Sequence, residues 1–207
     1  MRRLAVIPAV LSLAIALVGC SGSGARSSTS RAAAAPTTTS PVTPPNSPGA
    51  LQAEANAAAA GDIPDNQIFL AFSNVRTGYS IKYPEGWAQQ GSARTVIFRD
   101  KNNLVRIVVN PGQPPTAASV RRDVGLLSGA KAQSTAQTLS VVGGRALKIV
   151  YSTVSAPNAV TGKRVTLVVD RYYLWRAGHT AVIDLGTPQG VDNVDAYRLM
   201  IESFRWR

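Results

Sequence analysis

The segment around Ala177-Gly178 constrains this chain most. Residues 164–176 and 179–185 read as two strands, with Ala177-Gly178 as a two-residue turn signal between them. A two-residue loop sets the register. Arg171 then faces Asp184, Tyr173 faces Val182 and Trp175 faces Thr180 on one side, while Tyr172 and Leu174 meet Ile183 and Ala181 on the other. Both faces of this hairpin are largely apolar, so both need cover; a one-sided antiparallel meander would alternate more cleanly. Two helical patterns supply that cover. Residues 115–128 place Ala117, Val120, Val124 and Leu127 at three- and four-residue intervals, with Arg121, Arg122 and Asp123 on the other side. Gly125 weakens this run by about 1 kcal/mol relative to Ala. Residues 190–204 carry the stripe Val191, Val194, Tyr197, Ile201 and Phe204, with Asp192 and Asp195 suited to the positive end of the helix dipole. Strands, helix, strands, helix predict an α+β domain, an antiparallel β-sheet flanked by helices.

Shorter strand signals fill the rest. Residues 68–72 are apolar, Tyr79-Ser80-Ile81-Lys82-Tyr83 alternates in period two, and Pro84-Glu85-Gly86 is a turn signal with Trp87 directly after it. Residues 94–99 and 104–110 form a pair separated by Asp100-Lys101-Asn102-Asn103. Gly143-Gly144 reads as the two-residue hairpin loop between 138–142 and 145–155. Every Trp, Tyr and Phe lies within residues 62–207, which sets the folded domain at those bounds. A domain of that size buries about 68–70% of its extended-chain surface and needs no staples. With 45% hydrophobic and 16% charged residues, the chain is too apolar to be wholly disordered, and at 207 residues it is too small for a multidomain enzyme. One cysteine excludes an internal disulfide framework, and one histidine excludes a His-rich metal cage.

Ahead of the domain the composition changes abruptly. Of the 40 residues 21–60, 32 are Ser, Thr, Pro, Ala or Gly and none is aromatic, so they cannot bury a core of their own. Residues 20–61 are therefore read as a tether, spanning roughly 35 Å if flexible. The Ala-rich stretch 51–60 has the composition of a short helix within it. Before the tether, Arg2-Arg3 precedes the uncharged apolar run 4–17, which is too short for an ordinary membrane span of about 20 residues and has the features of a secretory signal peptide. Leu17-Val18-Gly19-Cys20 resembles the lipobox of bacterial lipoproteins. That resemblance implies a signal peptide over residues 1–19, cleavage between Gly19 and Cys20, and lipid on Cys20. The protein is then expected on the extracytoplasmic face of a cell membrane, held by acyl chains at about 0.8 kcal/mol per buried methylene.

Two short motifs carry a second resemblance. Gly78-Tyr79-Ser80-Ile81-Lys82-Tyr83-Pro84-Glu85-Gly86-Trp87 resembles the opening segment of PsbP-like domains, where a strand ends in Tyr-Pro and the next begins at a Trp. Ile201-Glu202-Ser203-Phe204-Arg205-Trp206 is similar to that family's closing helix, and the order of elements between them agrees. The resemblance covers residues 62–207 and implies a PsbP-like α/β/α sandwich. It also implies noncatalytic binding, without naming a partner; the family includes extrinsic subunits of photosystem II, Ran-binding proteins and bacterial lipoproteins.

The chemistry of catalysis is poorly represented. Residues 158–164 look like the end of a phosphate-binding loop but fail it twice, because Pro157 stands at the first glycine and Arg164 where Ser or Thr must reach the metal. His179 follows a turn and reads as a solvated loop residue, with no nucleophile or orienting acid nominated around it. Asp170 and Asp184 fall on opposite faces, and Asp184 has Arg171 as its partner, which makes an ion pair and not a catalytic carboxylate dyad. Trp87, Trp175 and Trp206 read as core or edge packing. No catalytic residue, metal ligand or cofactor site is assigned. The remaining signal is charge: residues 62–207 hold 18 Lys/Arg against 10 Asp/Glu, a net +8 that is either spread thinly or clustered toward an anionic surface. No nucleic-acid motif is present. Two functions follow: a binding or accessory subunit that docks on another envelope protein, or a carrier of a small ligand or lipid in a pocket between sheet and helices.

Overall fold

The computed structural model describes residues 48–158 and 161–207. Cys20, the signal peptide and the tether as far as residue 47 lie outside the described residues.

In chain order the elements are α1 (Pro48–Ala60), β1 (Phe69–Asn74), β2 (Tyr79–Pro84), β3 (Ala88–Ser92), β4 (Thr95–Asp100), β5 (Asn103–Pro111) and α2 (Ala117–Gly125). There follow β6 (Lys131–Ala132), β7 (Gln137–Val141), β8 (Gly144–Val154), β9 (Thr166–Arg176), β10 (His179–Pro188), α3 (Val194–Ser203) and β11 (Arg205–Trp206). One eight-stranded sheet runs in the order β3-β4-β5-β10-β9-β8-β6, with β7 also pairing β8, and a small sheet has the order β1-β2-β11. Every pairing is antiparallel. This is the expected α+β architecture.

The expected hairpin register holds throughout β9 and β10: Arg171 pairs with Asp184, Tyr173 with Val182 and Trp175 with Thr180. Both faces are covered. On one, Val105, Ile107, Leu174, Ile183 and Leu185 of the large sheet pack against Tyr197, Met200 and Ile201 of α3 and against Tyr79 and Ile81 of the small sheet. On the other, Ile149, Tyr151, Leu167, Val169 and Tyr173 pack against Val120 and Val124 of α2. Helix α2 starts at a capping box, in which Thr116 Oγ1 accepts from the Ser119 amide and Ser119 Oγ from the Thr116 amide. That cap is why it begins two residues later than its apolar pattern, and Ala117, expected in the stripe, is exposed.

Three expectations are corrected. Helix α3 begins at Val194, not at residue 190, and Val194 is 70% exposed while Met200 takes the core position. The cause is Asn193, which sits buried at the N-cap. Its side chain is spent on the Ile63 amide (2.8 Å), the Gly61 carbonyl (3.2 Å), Asn103 Oδ1 (3.1 Å) and Thr187 Oγ1 (2.7 Å), so this polar hub ties the start of the domain to the start of α3. Residues 205–206 leave the closing helix and pair with β2 as β11. Finally, the β7–β8 loop is Val142-Gly143, since Val141 pairs with Gly144. Gly143 is required there by a close approach: a Cβ at this position would lie 2.7 Å from Phe204 Cδ1 and 3.0 Å from Leu174 Cδ2. Gly143→Ala should therefore cost about 1–3 kcal/mol by overpacking. Chemical denaturation checks this, and an unchanged midpoint would mean that Phe204 yields freely.

Candidate functional site

Three places concentrate polar or concave structure. The first is an ion cluster on the α2 face of the large sheet. Arg171 and Asp184 are 2% and 1% exposed, and they meet twice, through Nε to Oδ1 at 2.6 Å and Nη2 to Oδ2 at 3.0 Å. Arg106, from the neighbouring β5, adds a guanidinium at 2.6 Å from the same Asp184 Oδ2. Arg171 Nη1 reaches Asp123 Oδ2 of α2 at 2.9 Å, and the Tyr173 hydroxyl donates to that oxygen. Burial works against the charge of Arg171, but Asp184 outweighs it and holds the guanidinium above its ordinary 12.5. Two carboxylates here face two guanidiniums, so the charges balance within the cluster. A catalytic base needs a free lone pair aimed at solvent or substrate; both Asp184 oxygens are occupied and buried, while Asp123 gives Oδ2 to the cluster and is 46% exposed.

Removing Asp184 leaves Arg171 buried without its main counter-charge. Asp184→Ala should cost about 3–5 kcal/mol, read as the shift in a denaturation curve. The same cluster sets an alkaline limit. The Tyr151 hydroxyl is pushed from 10.0 up to about 12, first by burial and then by the charge of Asp184. The folded protein holds this proton more tightly than the unfolded chain does. Its contribution is thus complete below pH 10 and is lost as the pH rises from 10 toward 12. Tyrosinate absorbance followed alongside circular dichroism should show delayed titration and then joint unfolding, whereas early titration in a folded protein would contradict it.

The second place is a cleft of about 490 Å³ between α3 and the large sheet, lined mostly by apolar side chains including Leu139, Val168, Leu185 and Ile201. Its one charged pair is Lys148 Nζ to Asp170 Oδ2 at 2.6 Å, with the ammonium 5.3 Å from the centre of the Tyr172 ring. Burial opposes the charge on Lys148, but the hydrogen bond and charge of Asp170 prevail and raise its pKa above 10.5. Val191 and Val194 are among its lining residues, and Val194 is 70% exposed.

The third place is the end of the molecule where the turns after β1, β3 and β9 meet the carboxyl-terminal Arg207. These segments line a concave surface of about 940 Å³ bearing Arg76, Arg94, Arg176, Arg207 and His179, and no Asp or Glu. The turns are pinned to one another. Asn74 Nδ2 donates to the Ala93 carbonyl at 2.7 Å, the Val109 amide to Arg94 O at 2.9 Å, the Gly112 amide to Gly178 O at 2.9 Å and the Arg207 amide to Gly78 O at 2.8 Å. Ala93 and Ala177 hold φ of +53° and +47°, a left-handed conformation that costs an L-residue about 1–2 kcal/mol. The opposite end of β1 differs: Phe69 lines a cleft of about 600 Å³ whose charged residues are Asp62, Asp65, Asp192 and Asp195. Asp residues thus line one of these surfaces and arginines the other, with Asp195 of the acidic cleft paired to Arg198 at 2.7 Å.

The structure separates the residues that sequence singled out. His179 is exposed at the basic end, with Nδ1 3.2 Å from the Ala177 carbonyl. Asp170 and Asp184 lie on opposite faces, as expected, and Asp184 is paired with Arg171. Trp87 is in the core and Trp175 is 40% exposed, while Trp206 lies half-buried at the basic end. Sequence reasoning missed Arg106, Asp123 and Lys148. Arg106 alone left a signal, as a charge inside the apolar run Leu104 to Val109. Among the described residues, no group of three or more His, Cys, Asp or Glu is placed to hold a metal ion.

The chain is similar in fold to solved structures. The solution structure of cyanobacterial PsbP (CyanoP) from Synechocystis sp. PCC 6803 matches with a TM-score of 0.52 at 17% identity, over 71% of this chain and 98% of that one. The Ran-binding protein Mog1p of Saccharomyces cerevisiae matches at a TM-score of 0.43 and 11% identity, over 68% of this chain and 96% of that one. LpqN, involved in cell envelope biogenesis of Mycobacterium tuberculosis, matches at 0.39 and 14%, over 68% of this chain and 91% of that one. No protein-family model and no curated protein sequence matches the chain. The domain has the PsbP-like fold, and that fold rests on the PsbP comparison.

Proposed function

We propose that this chain, with its PsbP-like fold, is a noncatalytic lipoprotein, anchored through Cys20 on the extracytoplasmic face of a cell membrane and acting as a binding or accessory subunit for another envelope protein. The observation that carries the reading is the closure of the buried charge cluster. Arg106, Arg171, Asp184 and Asp123 neutralise one another, and the single histidine is exposed on a turn. The buried Arg171–Asp184 pair is thereby spent on structure, which supports a binding role. The Leu17-Val18-Gly19-Cys20 motif and the Ser/Thr/Pro/Ala-rich residues that follow support the anchored and tethered part of the reading.

In-cell crosslinking of the tagged protein, with mass spectrometry of the captured partners, tests it. One recurrent envelope protein, lost in Cys20→Ala, is the expected result. No recurrent protein would overturn the subunit role, and fatty-acid labelling that persists in Cys20→Ala would overturn the anchor.

A second reading, a carrier of a small apolar ligand or lipid, is favoured by the cleft beneath α3. Its volume of about 490 Å³ falls in the usual range for ligand pockets, and apolar side chains such as Leu139, Val168, Leu185 and Ile201 share its lining with the Lys148–Asp170 pair. Val168→Trp would fill it. On this reading a fluorescent apolar probe binds the wild-type domain and is excluded from the variant, with the crosslinked partner unchanged.

A further inference from the structure

The +8 carried by residues 62–207 is not spread evenly. Arg76, Arg94, Arg176 and Arg207 come from four separate stretches of the sequence and are brought to one concave surface that no Asp or Glu lines. All four are exposed, and none forms a salt bridge among the described residues. Like charges held together repel, and hydrogen bonds between the turns keep these from drifting apart. Held so close, they act jointly on anything within a Debye length of about 8–10 Å.

We infer that this basic end is a docking surface for a bilayer containing anionic phospholipid, with the arginines taking the headgroup phosphates. Guanidinium forks match phosphate oxygens two at a time, which an isolated Lys cannot do. An apolar residue decides between a headgroup in a membrane and a free phosphate. Val75, between Asn74 and Arg76 in the β1–β2 turn, is 90% exposed, more than any other exposed large hydrophobic of the described residues. It contributes nothing to holding a free anion, but beside a ring of arginines it is placed to enter the boundary between headgroups and acyl chains. The core of a protein–protein interface is depleted of charge, whereas four arginines share this one concave surface. The acidic residues at the far end of β1 add orientation: an anionic surface attracts one end and repels the other. The inference does not depend on lipid at Cys20.

The test uses residues 42–207, whose cores and sheet pairings are complete within that unit. Binding is measured by co-sedimentation with vesicles of phosphatidylcholine alone or mixed with phosphatidylglycerol, and a thermal melt of each variant controls for folding. Binding should require phosphatidylglycerol and weaken with salt. Each of Arg76→Gln, Arg94→Gln and Arg176→Gln should weaken it about five-fold, the effect of one basic residue near an anionic surface. Val75→Ser should weaken it a few-fold without altering the salt dependence. The double variant Arg121→Gln/Arg122→Gln, on the exposed face of α2, removes two equal charges elsewhere and should leave binding nearly unchanged. A loss there equal to that of two basin variants would reduce the effect to overall charge and overturn the inference. Equal binding to both vesicle types, no vesicle binding, or complete competition by inorganic phosphate with Val75→Ser indistinguishable from wild type would each overturn it as well.

Discussion

Arg171 and Asp184 face each other across the ladder between β9 and β10, and both are almost wholly out of water. Neither charge is tolerable there alone, so each fixes where the other must be. Arg106 joins Asp184 from β5 on one side, and Asp123 reaches Arg171 from α2 above the sheet. Three adjacent strands and the covering helix are thus referred to one pair of side chains. The pair adds little to stability compared with an apolar replacement, but it discriminates strongly between registers. A one-residue slip of β9 against β10 would turn one of the charges into the apolar layer under α3, unpaired. Packing of Val120 and Val124 against Val169 and Tyr173 gives α2 its adhesion, and the Asp123 contact gives it its place.

The legible part of this structure is what sequence neighbours decide. A two-residue turn at Ala177-Gly178 determines every pairing in β9 and β10, so the Arg171–Asp184 pair could be read directly. The other members of the cluster could not. Arg106 lies 78 residues from Asp184, and it becomes a neighbour only because β5 flanks β10 in the sheet order. The same holds for the basic end. Arg76, Arg94, Arg176 and Arg207 are unremarkable turn and terminal residues until the topology gathers their turns. The errors were local competitions that tertiary contacts settled. Gly143-Gly144 looked like a turn, but contact with Phe204 demanded the glycine at 143 and moved the loop by one residue. The apolar stripe of α3 ran back to Val191, but Asn193 was needed as a polar hub and the helix started after it. Residues 205–206 are too few to show any period, and only pairing with β2 makes them a strand.

The α3 cleft follows from that late start. A helix beginning at residue 190 would have laid Val191 and Val194 on the sheet. With the first turn replaced by the Asn193 hub, Val194 is largely exposed and Val168 on the sheet face beneath is only partly covered. The Lys148–Asp170 pair keeps about a quarter of each side chain in water, unlike the Arg171–Asp184 pair on the other face. One domain therefore offers two chemically distinct surfaces. An apolar cleft selects for shape and carbon, and a basic end selects for anionic oxygen.

A weak surface is enough when the chain is already held nearby. If Cys20 carries lipid, the domain is confined near the membrane, and the effective concentration of membrane at the basic end rises accordingly. An affinity too weak to recruit a free protein would then settle the orientation of a tethered one. The arginines would turn toward the headgroups, and the acidic end, 6 residues of β1 away, would turn outward. The cleft under α3 shares no lining residue with the turns that carry the arginines. Orientation at the basic end and ligand or partner recognition in the cleft therefore need not compete for the same atoms.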